Sequence, residues 1–324
     1  MRLFVSVAAF CEPFLAFTLS DAVKKAADPQ SIVFGVVDQH PFSRRAVLAA
    51  AMLEAGKDTG MTEANLRYIH ISPHETRGVC WARSLVFSLF QHEDFVLQID
   101  SHMLFEESWD AVLYQQYAGL LEKSPKPIIS TYPYGFEFEN DQPVIKVKPG
   151  KQSVLVLRPH PDTSLSENNA TLRFRAEHFF TSEPVLGCHV AGGFLFAAGD
   201  FVQEIPYDPY LYFHGEEQSL AIRAWTRGWD IYHLLKIPLY HLYKMPNMAH
   251  SNHHWHPDWD KKRDFKAVDL RQAAVERLSD LLYQRKNLGV YGLGSQRNLE
   301  EYAALSGINY LNKTLVQPYQ PNYY

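Results

Sequence analysis

The chain has 324 residues, 46% of them hydrophobic and 21% charged, the balance of an ordinary soluble globular protein that can bury a sizeable core. A formal net charge of −5 argues against a general binder of nucleic acid or anionic membrane. Cys11, Cys80 and Cys188 are odd in number and far apart, with neither metal-site spacing nor a disulfide framework, so the expected compartment is the reducing cytoplasm.

The N-terminal run MRLFVSVAAFCEPFLAFTL has one basic residue, Arg2, and is broken by Glu12-Pro13. It therefore reads as a strand over residues 2–8 followed by a helix, not as a signal peptide. PFLAFTLSDAVKKAA has helical spacing, SIVFGVVDQ is a second strand closed by Asp38, and LRYIHIS is a third. The helix GVCWARSLVFSLF precedes a fourth strand, FVLQID, and WDAVLYQQYAGLLEK leads into PIISTYP. Alternation of this kind predicts an α/β sandwich with a mainly parallel central sheet. Ligands of such sheets sit beyond the carboxyl ends of the strands, which singles out Ser6-Val7-Ala8, Asp38 and Asp100-Ser101-His102. Residues 136–185 change character, with EFENDQPVIKVKPGKQ, the strand-like VLVLRP and the polar PDTSLSENNAT, and read as a β-rich insertion. The tail holds the helical VDLRQAAVERLSDLLYQRK, the Gly-rich YGLGSQR and a short helix near LEEYAAL. No segment has the apolar length to span a bilayer.

Four stretches carry chemistry. Asp100 and His102 are alternate residues of an extended chain, so both side chains can face one ligand. A carboxylate with an imidazole suits a divalent ion such as Mn²⁺; the bland alternative is a strand end capped at the surface. In VAGGFLFAAGDF the pair Gly192-Gly193 permits close backbone approach to a ligand, or simply makes a turn. Glu216 and Glu217 open a helix, where acidic residues suit the macrodipole, and the competing reading is a carboxylate aimed at a hydroxyl. His241 ends the apolar IPLYHLYKM, where a lone histidine is ordinarily structural. The cluster His250, His253, His254 and His256 lacks zinc-site spacing and reads as a loop at the mouth of the site. GLGSQR lacks the third glycine of a dinucleotide fingerprint.

The ordered set SVAAF, TRGVCWAR, LQIDSHM, VAGGFLF, HGEEQSLAIRAW, LYHLY and VYGLGSQRNLEEYAALSG resembles the Skp1-type N-acetylglucosaminyltransferases over roughly residues 2–310. It is more distantly similar to the polypeptide GalNAc-transferases. The resemblance implies a GT-A fold, the Rossmann-like sandwich of nucleotide-diphospho-sugar transferases. It further implies a metal-dependent, retaining transfer of GlcNAc from UDP-GlcNAc to a hydroxyl on a protein or glycan. UDP-glucose or UDP-galactose as donor, or a binding protein without turnover, are the alternatives. Asp100, His102 and His241 would then hold the metal, Mn²⁺ or alternatively Mg²⁺. The donor would lie against Ser6, Val7, Ala8, Asp38, Arg77, Arg83, Asp100, Ser101, Gly192 and Gly193, with Glu216 and Glu217 as the catalytic carboxylates. The corresponding domain reading is a catalytic domain over 1–250, with the insertion at about 136–185, and a helical extension over 251–324 that covers the active site. Trp255, His256 and Trp259 in that extension suit stacking on a sugar or closing over a donor.

Overall fold

The computed structural model describes residues 1–146, 153–243 and 253–316. The first half alternates as the sequence predicts: β1 (Leu3–Phe10), α1 (Leu15–Lys25), β2 (Ile32–Gln39), α2 (Arg45–Ala55), β3 (Leu66–Ile71), α3 (Val79–Phe87) and β4 (Phe95–Ile99). Then come β5 (Met103–Phe105), α4 (Trp109–Leu120), β6 (Pro127–Ser130), β7 (Tyr134–Glu139), β8 (Gln142–Ile145), β9 (Val154–Pro159), β10 (Phe174–Phe179) and β11 (Val185–Gly187). The remainder is β12 (Phe194–Ala198), α5 (Asp200–Glu204), α6 (Glu216–Trp225), β13 (Asp230–His233), β14 (Leu239–His241), α7 (Pro257–Asp260), α8 (Ala267–Leu282) and α9 (Leu299–Ser306), closed by the two-residue pair β15 (Ile308–Asn309) and β16 (Thr314–Leu315).

An eight-stranded sheet in the order β11-β13-β6-β12-β4-β1-β2-β3 forms the centre. Strands β3, β2, β1 and β4 run parallel, while β12 runs antiparallel to both β4 and β6. Side chains of β1 alternate between two cores. Leu3, Val5, Val7 and Ala9 join the core with α1, α2 and α4, and Phe4 joins the one with α3, α6, α8 and α9. Each fully buried Leu, Val or Phe contributes roughly 1.5–3 kcal/mol by leaving water, so two covered faces stabilise the sheet beneath the site. Helix α2 fills an interval where the sequence shows little apolar striping: only Leu48, Ala49 and Met52 are buried on it.

A second, four-stranded sheet, β5-β14-β7-β8, pairs His241 with Met103. Residues 136–185 supply two hairpins, β7–β8 and β9–β10. The tail packs against the main domain: Ala267, Leu278, Leu282, Leu299 and Tyr302 share a core with Leu220 and Ile222 of α6. Among the described residues no helix is long and apolar enough to cross a membrane.

Candidate active site

Strand register brings the site together. Val7 of β1 pairs with Ile99 of β4, so Asp100 emerges from the sheet beside Ala8. Thr18 of α1, fully buried, pins the next turn: its hydroxyl donates to the Ser101 carbonyl at 3.1 Å and accepts from the Met103 amide at 2.9 Å. His102 is thereby held opposite β14, where the Leu242 amide donates to its carbonyl at 3.1 Å. The result is a convergence of three ligand atoms, one each from Asp100, His102 and His241, all within 4.8 Å of one another. His241 Nε2 lies 3.1 Å from Asp100 Oδ2 and 3.0 Å from His102 Nε2. One carboxylate oxygen and two imidazole nitrogens are the donor set a borderline divalent ion takes, with room left for ligand oxygens.

Behind the triad runs a chain of buried charges. Arg83, projecting from α3, donates through Nη2 to Asp100 Oδ1 at 2.8 Å and through Nη1 to Glu216. Glu216 also accepts from the Tyr207 hydroxyl, and the Cys80 thiol lies 3.6 Å from its Oε2. Burial pushes the Glu216 carboxyl up, against the opposing pull of Arg83 and Tyr207. Burial also raises the Asp100 carboxyl, but the hydrogen bond from His241 and the charge of Arg83 hold it far below the usual range. The His102 imidazole is lowered by burial.

Helix α6 begins after Gly215, whose φ of +90° lies in the left-handed region that favours glycine. Its first three side chains diverge. Glu216 turns into the interior, 4% exposed, while Gln218 accepts from the Leu172 amide at 2.7 Å and donates to the Tyr310 hydroxyl at 3.0 Å. Glu217 faces a cavity of about 400 Å³ that it lines with Asp100, Tyr132, Arg173, Gly193 and His214. Its Oε1 accepts from the Gly192 amide at 2.7 Å, and its Oε2 from the Tyr132 hydroxyl at 2.9 Å with His189 Nε2 at 3.4 Å. Burial raises this carboxyl, yet His189, Gly192 and Tyr132 together keep it below the ordinary glutamate value.

The turn Ala191–Gly193 fits between these groups because Gly192 and Gly193 carry no side chains. Gln98 of β4 holds the Gly192 carbonyl at 2.8 Å, and Ser130 of β6 accepts from the Ala191 amide at 2.8 Å. A Cβ on Gly193 would stand 2.6 Å from Asp100 Oδ2, and one on Gly192 would stand 2.6 Å from Arg83 Nη1. Gly193→Ala is therefore expected to displace the Asp100 carboxylate and weaken divalent-ion binding about tenfold or more, with thermal stability in chelator nearly unchanged. Calorimetric metal titration beside a melting curve checks both halves of that expectation.

On the other side of Asp100 lies a second cavity of about 150 Å³, lined by Ala8, Phe10, Glu12, Gln39, Gly78, Tyr212 and the tail residues His253, His254 and Trp255. Val79, Asp100 and Phe213 line both cavities, so the two adjoin at Asp100, with His102 on the wall of the smaller one.

The other sequence-predicted residues fall as follows. Ser6 and Val7 are buried in β1, and Ala8 alone of the three reaches the cleft. Asp38 is fully buried and bound by Arg44 at 2.6 Å and the Tyr68 hydroxyl at 2.8 Å. Ser101 is 4% exposed and lines the smaller cavity. Arg77 points away from the cleft, with its guanidinium 4.2 Å from the Phe265 ring centre, in a separate groove with Trp81 and Tyr210. Of the histidine cluster, His250 lies outside the described residues, and the others diverge. His254 is buried against Tyr212 and Arg263 and lowered by burial to about 4, His253 stacks on Trp255, and His256 accepts from the Asp258 amide. Glu12, Thr18, Tyr132 and His189 are site residues that the sequence reading does not reach.

Residues 45–311 match the model of the family described as Glycosyltransferase (GlcNAc). Among solved structures the chain is similar to GalNAc-T7, crystallised with UDP, GalNAc and Mn²⁺, at 13% identity and a TM-score of 0.55 over 94% of this chain and 54% of that one. It also aligns with S. aureus TarS 1–349 in complex with UDP-GlcNAc, at 13% identity and a TM-score of 0.44, over 86% of this chain and 72% of that one. The mannosyltransferase PcManGT from Pyrobaculum calidifontis, in complex with GDP-Man and Mn²⁺, aligns at 13% identity and a TM-score of 0.45 over 86% and 70% of the two chains. The likeness to GalNAc-T7 is one of fold, and the chain spans about half of that protein's length. No curated protein matches.

Proposed function

The chain belongs to the GlcNAc glycosyltransferase family, and from that premise we propose a metal-dependent, retaining enzyme of GT-A fold that moves GlcNAc from UDP-GlcNAc to a hydroxyl acceptor. The observation that carries this reading is the convergence of Asp100, His102 and His241, with Asp100 lining both of two adjoining cavities. A divalent ion held by these three, Mn²⁺ first among candidates, supplies the positive charge that a departing nucleoside diphosphate requires. Arg83 holds the Asp100 carboxylate aimed at the cleft, and Glu216 holds Arg83 in place.

The smaller chamber, between Ala8 and Trp255, takes the nucleotide, and the larger chamber takes the sugar and the acceptor. Glu217 stands in the second with roughly four acceptor positions on its carboxylate and three donors already placed. Its remaining capacity serves a sugar or acceptor hydroxyl. A carboxylate so engaged is a weak covalent nucleophile, which supports departure and attack on one face of the sugar, with retention. The Skp1-type resemblance makes a protein hydroxyl the first acceptor to try.

Two measurements test this reading. Purified protein with Mn²⁺ should release UDP from UDP-GlcNAc faster than from UDP-glucose or UDP-galactose, and faster than it releases GDP from GDP-mannose. Proton NMR of the transferred sugar should show the anomeric configuration of the donor. A preference for another donor would reassign the sugar, and an inverted product would remove the one-face mechanism. Trp255 offers a separate check, since it lines the nucleotide chamber. Trp255→Ala should weaken UDP binding about tenfold, of the order of the stacking lost on removing one aromatic platform under a base. An unchanged UDP affinity would move Trp255 out of the donor chamber.

A further inference from the structure

The histidines of the triad are not held alike. Among the described residues the buried Nδ1 of His241 has no hydrogen-bond partner, and the ring is held by the β5–β14 pairing and by Tyr243, whose ring centre lies 4.3 Å away. His102 instead has a carboxylate behind it: Glu12 Oε2 lies 3.0 Å from its Nδ1.

Glu12 is a residue that a strand-to-helix turn does not require. After Phe10 the chain reverses at Cys11, which has φ +45°, and the Glu12 side chain turns inward to 1% exposure. Its Oε1 accepts from the Phe14 amide at 2.9 Å at the start of α1, and its carbonyl accepts from Arg44 Nη1 at 2.8 Å. Capping alone would account for Oε1, and short side chains such as Ser or Asp do that work at helix starts without burying a long carboxylate. Burial of a carboxylate is costly unless its oxygens find donors. The second oxygen of Glu12 is directed at His102.

The geometry points to Glu12 as the positioning residue of the metal cluster. A carboxylate ionised at this position accepts only, and so fixes the proton of His102 on Nδ1. It thereby leaves the Nε2 lone pair facing Asp100 and His241, and it raises the basicity of that nitrogen. Carboxylate–histidine pairs behind metal ligands act in this way, and their loss ordinarily weakens metal binding by 10–100-fold. This inference rests on the metal site proposed above.

The test uses the full chain without nucleotide. Mn²⁺ is titrated into chelator-stripped wild type, Glu12→Ala and Glu12→Gln, with free Mn²⁺ followed by electron paramagnetic resonance. The imidazole ¹⁵N shifts of His102 are recorded in the metal-free state, and melting curves in chelator report whether each variant folds. Glu12→Ala should bind Mn²⁺ about 10–100-fold more weakly, and Glu12→Gln, which keeps an oxygen but loses the charge, about tenfold more weakly. The wild-type ring should carry its proton on Nδ1, and the alanine variant should mix tautomers. A purely structural role would lower the melting temperature and leave affinity and tautomer unchanged, and that result overturns the proposal. If Glu12→Ala does not fold, unchanged affinity and tautomer in Glu12→Gln decide against it equally well. If wild type binds no Mn²⁺, the metal site itself is wrong and the role of Glu12 falls with it. Normal wild-type binding that ignores both substitutions overturns the role of Glu12 alone.

Discussion

Asp100→Asn is expected to lower kcat/KM for the UDP-sugar by about 10³-fold or more, because the lost charge faces the diphosphate through the metal position. That loss corresponds to about 4 kcal/mol of transition-state stabilisation. The substitution keeps an oxygen for Arg83 Nη2, now 2.8 Å from Asp100 Oδ1, and Arg83 retains Glu216, so the buried guanidinium is not stranded. Folding should therefore survive, with a melting temperature near wild type. His241→Ala should give a comparable loss by removing a ligand that packs against Tyr243 and Asp100. Both variants should lose Mn²⁺ affinity together with activity. Activity lost with metal affinity intact would mean that these side chains serve the reaction in another way.

The second large effect separates two adjacent carboxylates. Glu217→Gln is expected to lower kcat by about 10²-fold with the fold intact, the size of effect seen when a positioned group is lost from a reaction centre. The amide oxygen can still accept from the Gly192 amide, and the Tyr132 hydroxyl can rotate to accept from the new NH₂. Glu216→Gln should behave differently. Its side chain is 5% exposed and its principal partner is the buried Arg83, so removing the charge should cost about 3 kcal/mol, the lower end for breaking a buried pair, since Asp100 remains. Its activity should fall through weakened metal binding. Kinetics at saturating Mn²⁺ beside a denaturant titration resolve the two cases. A stable, inactive Glu216→Gln with an active Glu217→Gln would exchange the roles assigned here.

These assignments show where the sequence was legible. The strands of the first half are long and alternate regularly, so VLQI running into Asp-x-His announces a strand end with two side chains on one side, and the register Val7–Ile99 places it beside Ala8. His241 is different. Its own strand and β5, with which it pairs, are three residues each and lie far apart in the chain, so no local spacing connects it to His102, and only the family resemblance did. Glu12 was hidden because a glutamate before proline reads as an interruption of an apolar run, and its burial is a tertiary fact. Arg77 carries the residue type that binds phosphate, but its guanidinium lies over Phe265 in a separate groove instead. The histidine-rich tail reads as one cluster in sequence because its members are close in number. In the fold, the short helix α7 and Arg263 send His254 and His256 to different environments. Glu216 and Glu217 illustrate the same limit: successive residues of a helix point about 100° apart, so a pair in sequence is two environments in space.

The central claim is that Asp100, His102 and His241 hold the ion that carries the sugar nucleotide. Anomalous diffraction from a crystal grown with Mn²⁺ and UDP addresses it most directly. The account predicts one strong manganese peak within bonding distance of Asp100 Oδ2 and both Nε2 atoms, with the diphosphate completing its coordination. A bound UDP with no manganese at those three atoms, or manganese held by the tail histidines instead, would contradict it.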